Sequence, residues 1–182
     1  MRKYILGIVI IGLGFTACNT PNEKEIGEVD ALLSIVDETE KLFLSIDTAR
    51  AFAAKRILEV DLAEFNKYAD TLKKEEAFKI ADIFGGKRTL YRLVSNYPGF
   101  TQQLEMSKKQ LTNLKKDLEN NLINKENYTS YYGSEQKAIM DLNNKISNAI
   151  AGLETVIGKY ELDRPELLEI IEDKKLKLAV DE

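Results

Sequence analysis

The chain has no histidine, no tryptophan, one cysteine and three prolines in 182 residues. The missing histidine removes the commonest general base at neutral pH and the commonest metal ligand. An enzyme built from this chain would have to work with Asp, Glu, Lys, Tyr or Ser alone. The missing tryptophan weakens the case for a sugar-stacking platform. A single cysteine forbids any disulfide within the chain, so folding rests on a packed core. Pro21, Pro98 and Pro165 each fall where a second signal also suggests a break. Alternation of apolar and polar residues never lasts beyond a few positions, which excludes a strand pattern. These absences point to an all-α, non-enzymatic protein, with no catalytic residue, metal ligand or cofactor assigned.

What is present begins at the N-terminus. Met1-Arg2-Lys3 is basic, Tyr4 to Phe15 is apolar apart from Gly7, Gly12 and Gly14, and Thr16-Ala17 precede the lone Cys18. That is the layout of a secretory signal peptide. Phe15-Thr16-Ala17-Cys18 resembles the lipobox of bacterial lipoproteins, with Phe15 where that family prefers Leu, Val or Ile. The resemblance implies cleavage before Cys18, a thioether link from Cys18 to diacylglycerol, and acylation of the new N-terminus. Two other readings stand beside it: an ordinary signal peptide with a chance cysteine, and a transmembrane anchor. Twelve apolar residues span only ~18 Å at ~1.5 Å each, short of a ~30 Å hydrocarbon core.

The expected division is a cleaved signal at 1–17, a tether at 18–24 and one helical-bundle domain at 25–182. Loss of Arg2 and Lys3 with the leader leaves 24 basic against 30 acidic residues, a mature charge of −6. An acidic chain argues against nucleic acid and anionic headgroups as partners. The expected partners are the membrane, through lipid on Cys18, and a protein; homo-oligomerisation is a further option. In Gram-negative lipoproteins, Asp directly after the cysteine favours inner-membrane retention. Asn19 stands here, which by that resemblance implies the outer membrane. Glu23 and Glu25 are a weak echo of surface-display signals in some lipoproteins. The mature part is loosely similar to uncharacterised helical lipoproteins of Bacteroidota-type bacteria.

From Glu25 the periodicity is helical. Ile26, Val29, Leu33, Val36 and Phe43 outline a first helix to about Ile46, with Glu40 interrupting the seam. Asp47 or Thr48 ends it or caps the next. Leu58, Leu62, Phe65, Ala69 and Leu72 outline a second helix from 49 to about 74, continuing through 75–84. Gly85-Gly86 then breaks it. A short helix at 87–96 leads to a turn predicted at Tyr97-Pro98-Gly99-Phe100. A further helix runs from 101 to 122 on the seam Leu104, Ser107, Leu111, Leu114, Leu118 and Asn121. Residues 120–133 are ambiguous, because Gly133 inside a helix costs ~1 kcal/mol. The seam Ile139, Leu142, Ile146, Ala149, Leu153, Val156 and Tyr160 predicts one helix over 134–161. Asp163-Arg164-Pro165-Glu166 is expected to end it and start the last.

A 3.5-residue repeat over several heptads means supercoiled helices. The expected architecture is an elongated antiparallel helical bundle. Residues 101–122 and 134–161 form a coiled-coil hairpin, and 26–46 pairs with 49–84. The 28-residue helix alone would be ~42 Å long, which matches or exceeds the width of a compact chain this size, whose radius of gyration is ~15 Å.

Each local feature of note has an ordinary structural role beside a functional one. Tyr128, Tyr131 and Tyr132 are the candidate partner contact, because exposed tyrosines are large, stiff and amphipathic. The ordinary alternative puts Tyr128 and Tyr132 in the core with Tyr131 at its edge. Gly85-Gly86-Lys87-Arg88 offers helix-start amides to an anion, but lacks the spacing of a nucleotide loop. Glu75-Glu76, Glu172-Asp173 and the lysine pairs at 73–74, 108–109, 115–116 and 174–175 read as solvated faces.

The resulting functional expectation is a lipid-anchored, non-catalytic envelope protein for binding, scaffolding or assembly. Alternatives are an immunity or inhibitor-type lipoprotein that blocks a foreign protein, a carrier with an apolar groove, and a hydrolase using Asp or Glu.

Overall fold

A computed structural model describes residues 22–68 and 72–181. The expected leader at 1–17 and the expected lipid site at Cys18 lie outside these residues. Six helices follow in order: α1 (Glu23–Leu44), α2 (Thr48–Phe65), α3 (Lys74–Ile83), α4 (Lys87–Glu119), α5 (Lys125–Ile150) and α6 (Leu153–Asp181). The protein is an all-α, elongated antiparallel bundle.

Cross-helix contacts fix the topology. Along α4, Asn22 Nδ2 donates to the Leu118 carbonyl, and Asp30 binds Lys115. Asp37 binds Lys108, and Phe43 stacks on Tyr97. Phe52 then meets Tyr97 edge-on, and Lys55 lies over the Tyr91 ring. So α1 and α2 lie end to end along one side of α4, both antiparallel to it. Tyr128 meets Glu28 and Asn143 meets Thr39, which sets α5 parallel to α1. Arg50 pairs with Glu154 and Glu161, and Asp61 with Arg164, which sets α6 parallel to α2. Lys159 with Asp82 and Lys174 with Glu76 set α3 antiparallel to α6.

The molecule is therefore three composite columns, α1–α2, α3–α4 and α5–α6, running up, down and up. Residues 125–181 alone would extend ~85 Å at ~1.5 Å per residue. The expected α4–α5 hairpin is present. The expected pairing of 26–46 with 49–84 is not: α1 packs on α4 and α5, and α2 on α4 and α6. With α2 continuing α1's direction, each needs its partners elsewhere.

Several predicted boundaries move. The first helix starts at Glu23, inside the expected tether. Asp47 does cap α2, its carboxylate accepting from the Arg50 amide at 2.9 Å. The single helix expected over 49–84 is divided, with α2 ending at Phe65 and α3 starting at Lys74; seam position Ala69 lies outside the described residues. The predicted turn at 97–100 is absent, since α4 runs straight through Pro98. Proline normally costs ~3 kcal/mol inside a helix. Here Tyr97 and Phe100 both pack on Phe43, so tertiary burial outweighs the local break. The predicted break at Asp163–Glu166 is also absent, and Pro165 sits inside α6. Tyr160 and Leu167, both buried, hold the helix on either side of it.

The break falls instead at Ala151-Gly152, where Gly152 has φ +72°. A left-handed residue with no Cβ ends α5, and its carbonyl accepts from the Val156 amide to start α6. The inward register shifts with it, so Ile157 rather than Val156 is buried. This break and the α1–α2 junction lie at nearly the same level of the rod, close to Pro98.

The other ends have clear local causes. At the foot of α4, Leu122 N–H reaches the Asp117 carbonyl and Asn121 N–H the Leu118 carbonyl. That is a Schellman stop with Asn121, φ 54°, in the glycine position. Asn121 therefore lies past the seam rather than in it. Between α3 and α4, a Cβ on Gly86 would come within 2.5 Å of Val156 Cγ1, so this glycine permits close approach of α6. Gly133 lies inside α5, and a Cβ added there would meet no heavy atom within 4 Å.

The core runs the length of the rod. Leu90, Leu93, Phe100, Leu104, Ser107, Leu111, Leu114 and Leu118 are buried along α4. In α1 the inward set is Val29, Leu32, Val36, Thr39 and Phe43. Thr39 takes the place expected of Glu40, which turns to the edge and meets Lys108 at 3.1 Å.

Leu111→Ala, at a position with 0% exposure, should cost ~2–5 kcal/mol in urea unfolding. Gly133→Ala should stabilise by ~0.5–1 kcal/mol in the same assay, because the space is open and the helix gains propensity.

Candidate functional site

The three candidate tyrosines divide between two environments. Tyr128 is buried, its hydroxyl donating to Glu28 Oε2 at 2.6 Å, and its ring stacks on Tyr132 with centroids 5.4 Å apart. Burial first, and the Glu28 carboxylate second, push the Tyr128 phenol well above the usual tyrosine range. Tyr132 is half-buried and its phenol is raised for the same first reason. Both serve the α1–α5 contact. Tyr131 is 58% exposed and lies beside a shallow groove with Gln110, Asn113, Leu114, Asp117 and Glu135. Desolvation raises the Glu135 carboxyl. The cluster thus offers one exposed ring, not three.

The rod's other half brings together residues that the sequence kept apart. Asp61 of α2 is buried, and its Oδ2 accepts from the Tyr160 hydroxyl at 2.6 Å and from Arg164 Nε at 2.6 Å. Its Oδ1 accepts from an Arg164 terminal nitrogen at 3.2 Å. The Tyr160 phenol is raised by burial and then by Asp61, and the Arg164 guanidinium is raised chiefly by its bond to Asp61. Both carboxylate oxygens are engaged, so Asp61 acts as a clasp between α2 and α6. Nearby, Lys174 is buried and binds Glu76 at 2.6 Å, where the sequence suggested solvated charge. The helical signal for Asp61 was available: it is four residues before Phe65 and three after Leu58, on the inward stripe. Its partners, about a hundred positions away, were not.

Beside the clasp, α2, α3 and the start of α4 form an open apolar groove of ≈ 560 Å³. Leu62, Phe65, Leu72, Ile80, Ala81 and Phe84 line it, and Lys87 and Arg88 stand at its edge. The glycines at 85 and 86 thus belong to a helix junction beside this groove. Exposed Phe78 lies on the same short helix. Loss of the chain's direction here, where α2 turns back into α3, leaves these apolar side chains less covered than those along the shaft.

Among the described residues, no group of three or more His, Cys, Asp or Glu side chains is placed to hold a metal ion. Among the same residues, no helix is long and apolar enough to cross a membrane. No protein-family model, no curated protein and no solved structure matches the chain. Any functional reading rests on this geometry and on the sequence.

The polar contacts have two measurable consequences. Asp61→Ala should destabilise the fold by ~2–3 kcal/mol in chemical unfolding, because Tyr160 and Arg164 lose their acceptor. The open side of Arg164 keeps the cost below that of a fully buried pair. The second concerns acid. Glu28 is lowered by its bond from Tyr128, Glu76 by Lys174 and Glu161 by Arg50, all from an ordinary value of 4.5. Groups lowered in the folded state contribute stability above that value and lose it as pH falls. The thermal midpoint, followed by circular dichroism, should hold from about pH 7 to about pH 5 and drop below about pH 4.

Proposed function

We propose that this is a lipid-anchored, non-catalytic protein of the cell envelope, held at Cys18, which binds or assembles with a protein through its helix faces. The observation that carries the reading is the placement of its ends. Asn22, only four residues after Cys18, packs against the foot of α4. The clasp and the apolar groove lie about 60 Å away along α1 and α2, at ~1.5 Å per residue. A chain tethered at its foot would present the groove and α3 to whatever lies away from the lipid surface. Two or three acyl chains hold such a body firmly where one does not. The residue after the cysteine, Asn19, supports the outer membrane as the address.

The tyrosine candidates fit this reading only in part. Tyr131 remains available as a contact, and Tyr128 and Tyr132 serve the bundle. The groove, with Lys87 and Arg88 at its edge, is the better-formed surface for a protein segment carrying apolar and acidic residues.

The test is metabolic labelling. Cells producing the protein with radiolabelled palmitate should yield a labelled band in the membrane fraction. Cys18→Ala should carry no label and leave that fraction. Label on the Cys18→Ala chain, or an unlabelled wild-type chain, would remove the anchor and this function with it.

A further inference from the structure

The groove beside the clasp has the form of a seat for one more helix. α2 and α3 both pack on α6, and the ≈ 560 Å³ groove is the furrow between them. In a bundle, two helices lying on a third offer such a furrow to a fourth, with ridges of side chains to interlock. Leu62 stands on the α2 side and Ala77 and Ala81 on the α3 side. Phe65 and Phe84, both buried, meet at the floor with ring centroids 6.1 Å apart. The alanines at 77 and 81 are exposed, and their small side chains keep the α3 wall low enough for close approach.

Charge decides which kind of helix fits. Apart from apolar residues and Gly85, only Lys87 and Arg88 line the groove, and no carboxylate does. Neither cation has an ion pair among the described residues. Asp82, the acid just before them in sequence, is bonded to Lys159 at 2.9 Å. No further acid follows until Glu105. Arg92, one turn beyond Arg88 on the same face, lengthens this positive edge. The first turn of α4 thus carries cations and no acid, and Gly86 supplies no capping side chain. The helix dipole favours the opposite charge there. Acids outnumber bases 30 to 26 over the chain, yet none is spent on this edge.

We propose that the groove receives an amphipathic helix of a partner protein, apolar along one stripe and acidic at the end that lies over Lys87 and Arg88, an inference that rests on the binding role given above to the helix faces. The apolar stripe, at i, i+3 or i+4, and i+7, fills the furrow between α2 and α3. The partner's carboxylates meet cations that hold no acid already, so no existing ion pair has to break. The described residues contain no strand, so capture of an extended segment along a sheet edge is not open to them. Attraction between the two charged ends speeds encounter and weakens with salt.

Fluorescence anisotropy with two stapled helical peptides tests this. Both carry leucines at i, i+3 and i+7; one continues into a run of glutamates and the other into a run of lysines. The full chain is used as cells make it, in phosphatidylcholine nanodiscs where it carries lipid and in buffer where it does not, so loss of the anchor leaves this measurement intact. The acidic peptide should bind at least about tenfold tighter than the basic one. Lys87→Glu together with Arg88→Glu should invert that preference. Ala81→Phe, at an exposed position, should fill the furrow and abolish binding with helicity unchanged. Lys109→Glu with Lys116→Glu, further along α4 and well beyond the ~8 Å Debye length at physiological salt, should leave binding as it was. The proposal is overturned if the charge at the peptide's end makes no difference, if Ala81→Phe binds as well as the unsubstituted chain, or if neither peptide binds. It is equally overturned if the distant lysine pair matters as much as Lys87 and Arg88. Oleate bound at one per chain, with both peptides excluded, would assign the groove to a lipid and overturn it too.

Discussion

The apolar seam of α4 is the constraint on which everything else depends. It is the longest uninterrupted helix, and it meets α1, α2, α5 and α6 in turn. Burying Leu90 through Leu118 requires a neighbour on each side along the whole length. No single helix of the outer columns is long enough to provide one. The sequence answers with two helices per side, stacked end to end, and the junctions between them are tolerated because α4 splints them. Pro98 survives inside α4 for the same reason: the aromatic packing of Phe43, Tyr97 and Phe100 is worth more than the hydrogen bond it forfeits.

Helical periodicity made the all-α class, the seam of α4 and the α4–α5 hairpin legible from sequence, because these depend on residues a few positions apart. The misreadings share a cause. Pro98 and Pro165 look like stops when judged locally, and tertiary burial carries the helices through both. Gly152 looks harmless within a regular seam, yet its positive φ divides the column. Thr39 and Asp61 turn inward one position before Glu40 and Leu62, where the sequence seam was expected. Their partners, Asn143, Tyr160 and Arg164, are about a hundred residues away, so no local pattern announces them. Of the candidate site, Tyr131 was visible as an exposed ring. The groove was not, because it is assembled from the end of one column and the start of another.

The inward polar groups also explain why the columns stay in one axial register. Leucine seams repeat every turn or two and would accept a slip of one heptad at modest loss. A slip here would leave Asp61 buried without Tyr160 and Arg164, and Thr39 without Asn143. An unpaired buried carboxylate costs several kcal/mol, far more than a shifted leucine contact. Apolar burial sets how strongly the columns adhere, and these few polar pairs set where.

Three is an odd number of columns, and that parity decides at which poles the bundle's first and last helices open. An even-columned bundle would bring start and finish to the same pole. Here residue 22 enters at one pole and α6 finishes toward the other, beyond the contact of Lys175 with Glu64. Chain that continues from α6 consequently leaves at the pole opposite Asn22, so the two poles can meet different surroundings without either crossing the shaft.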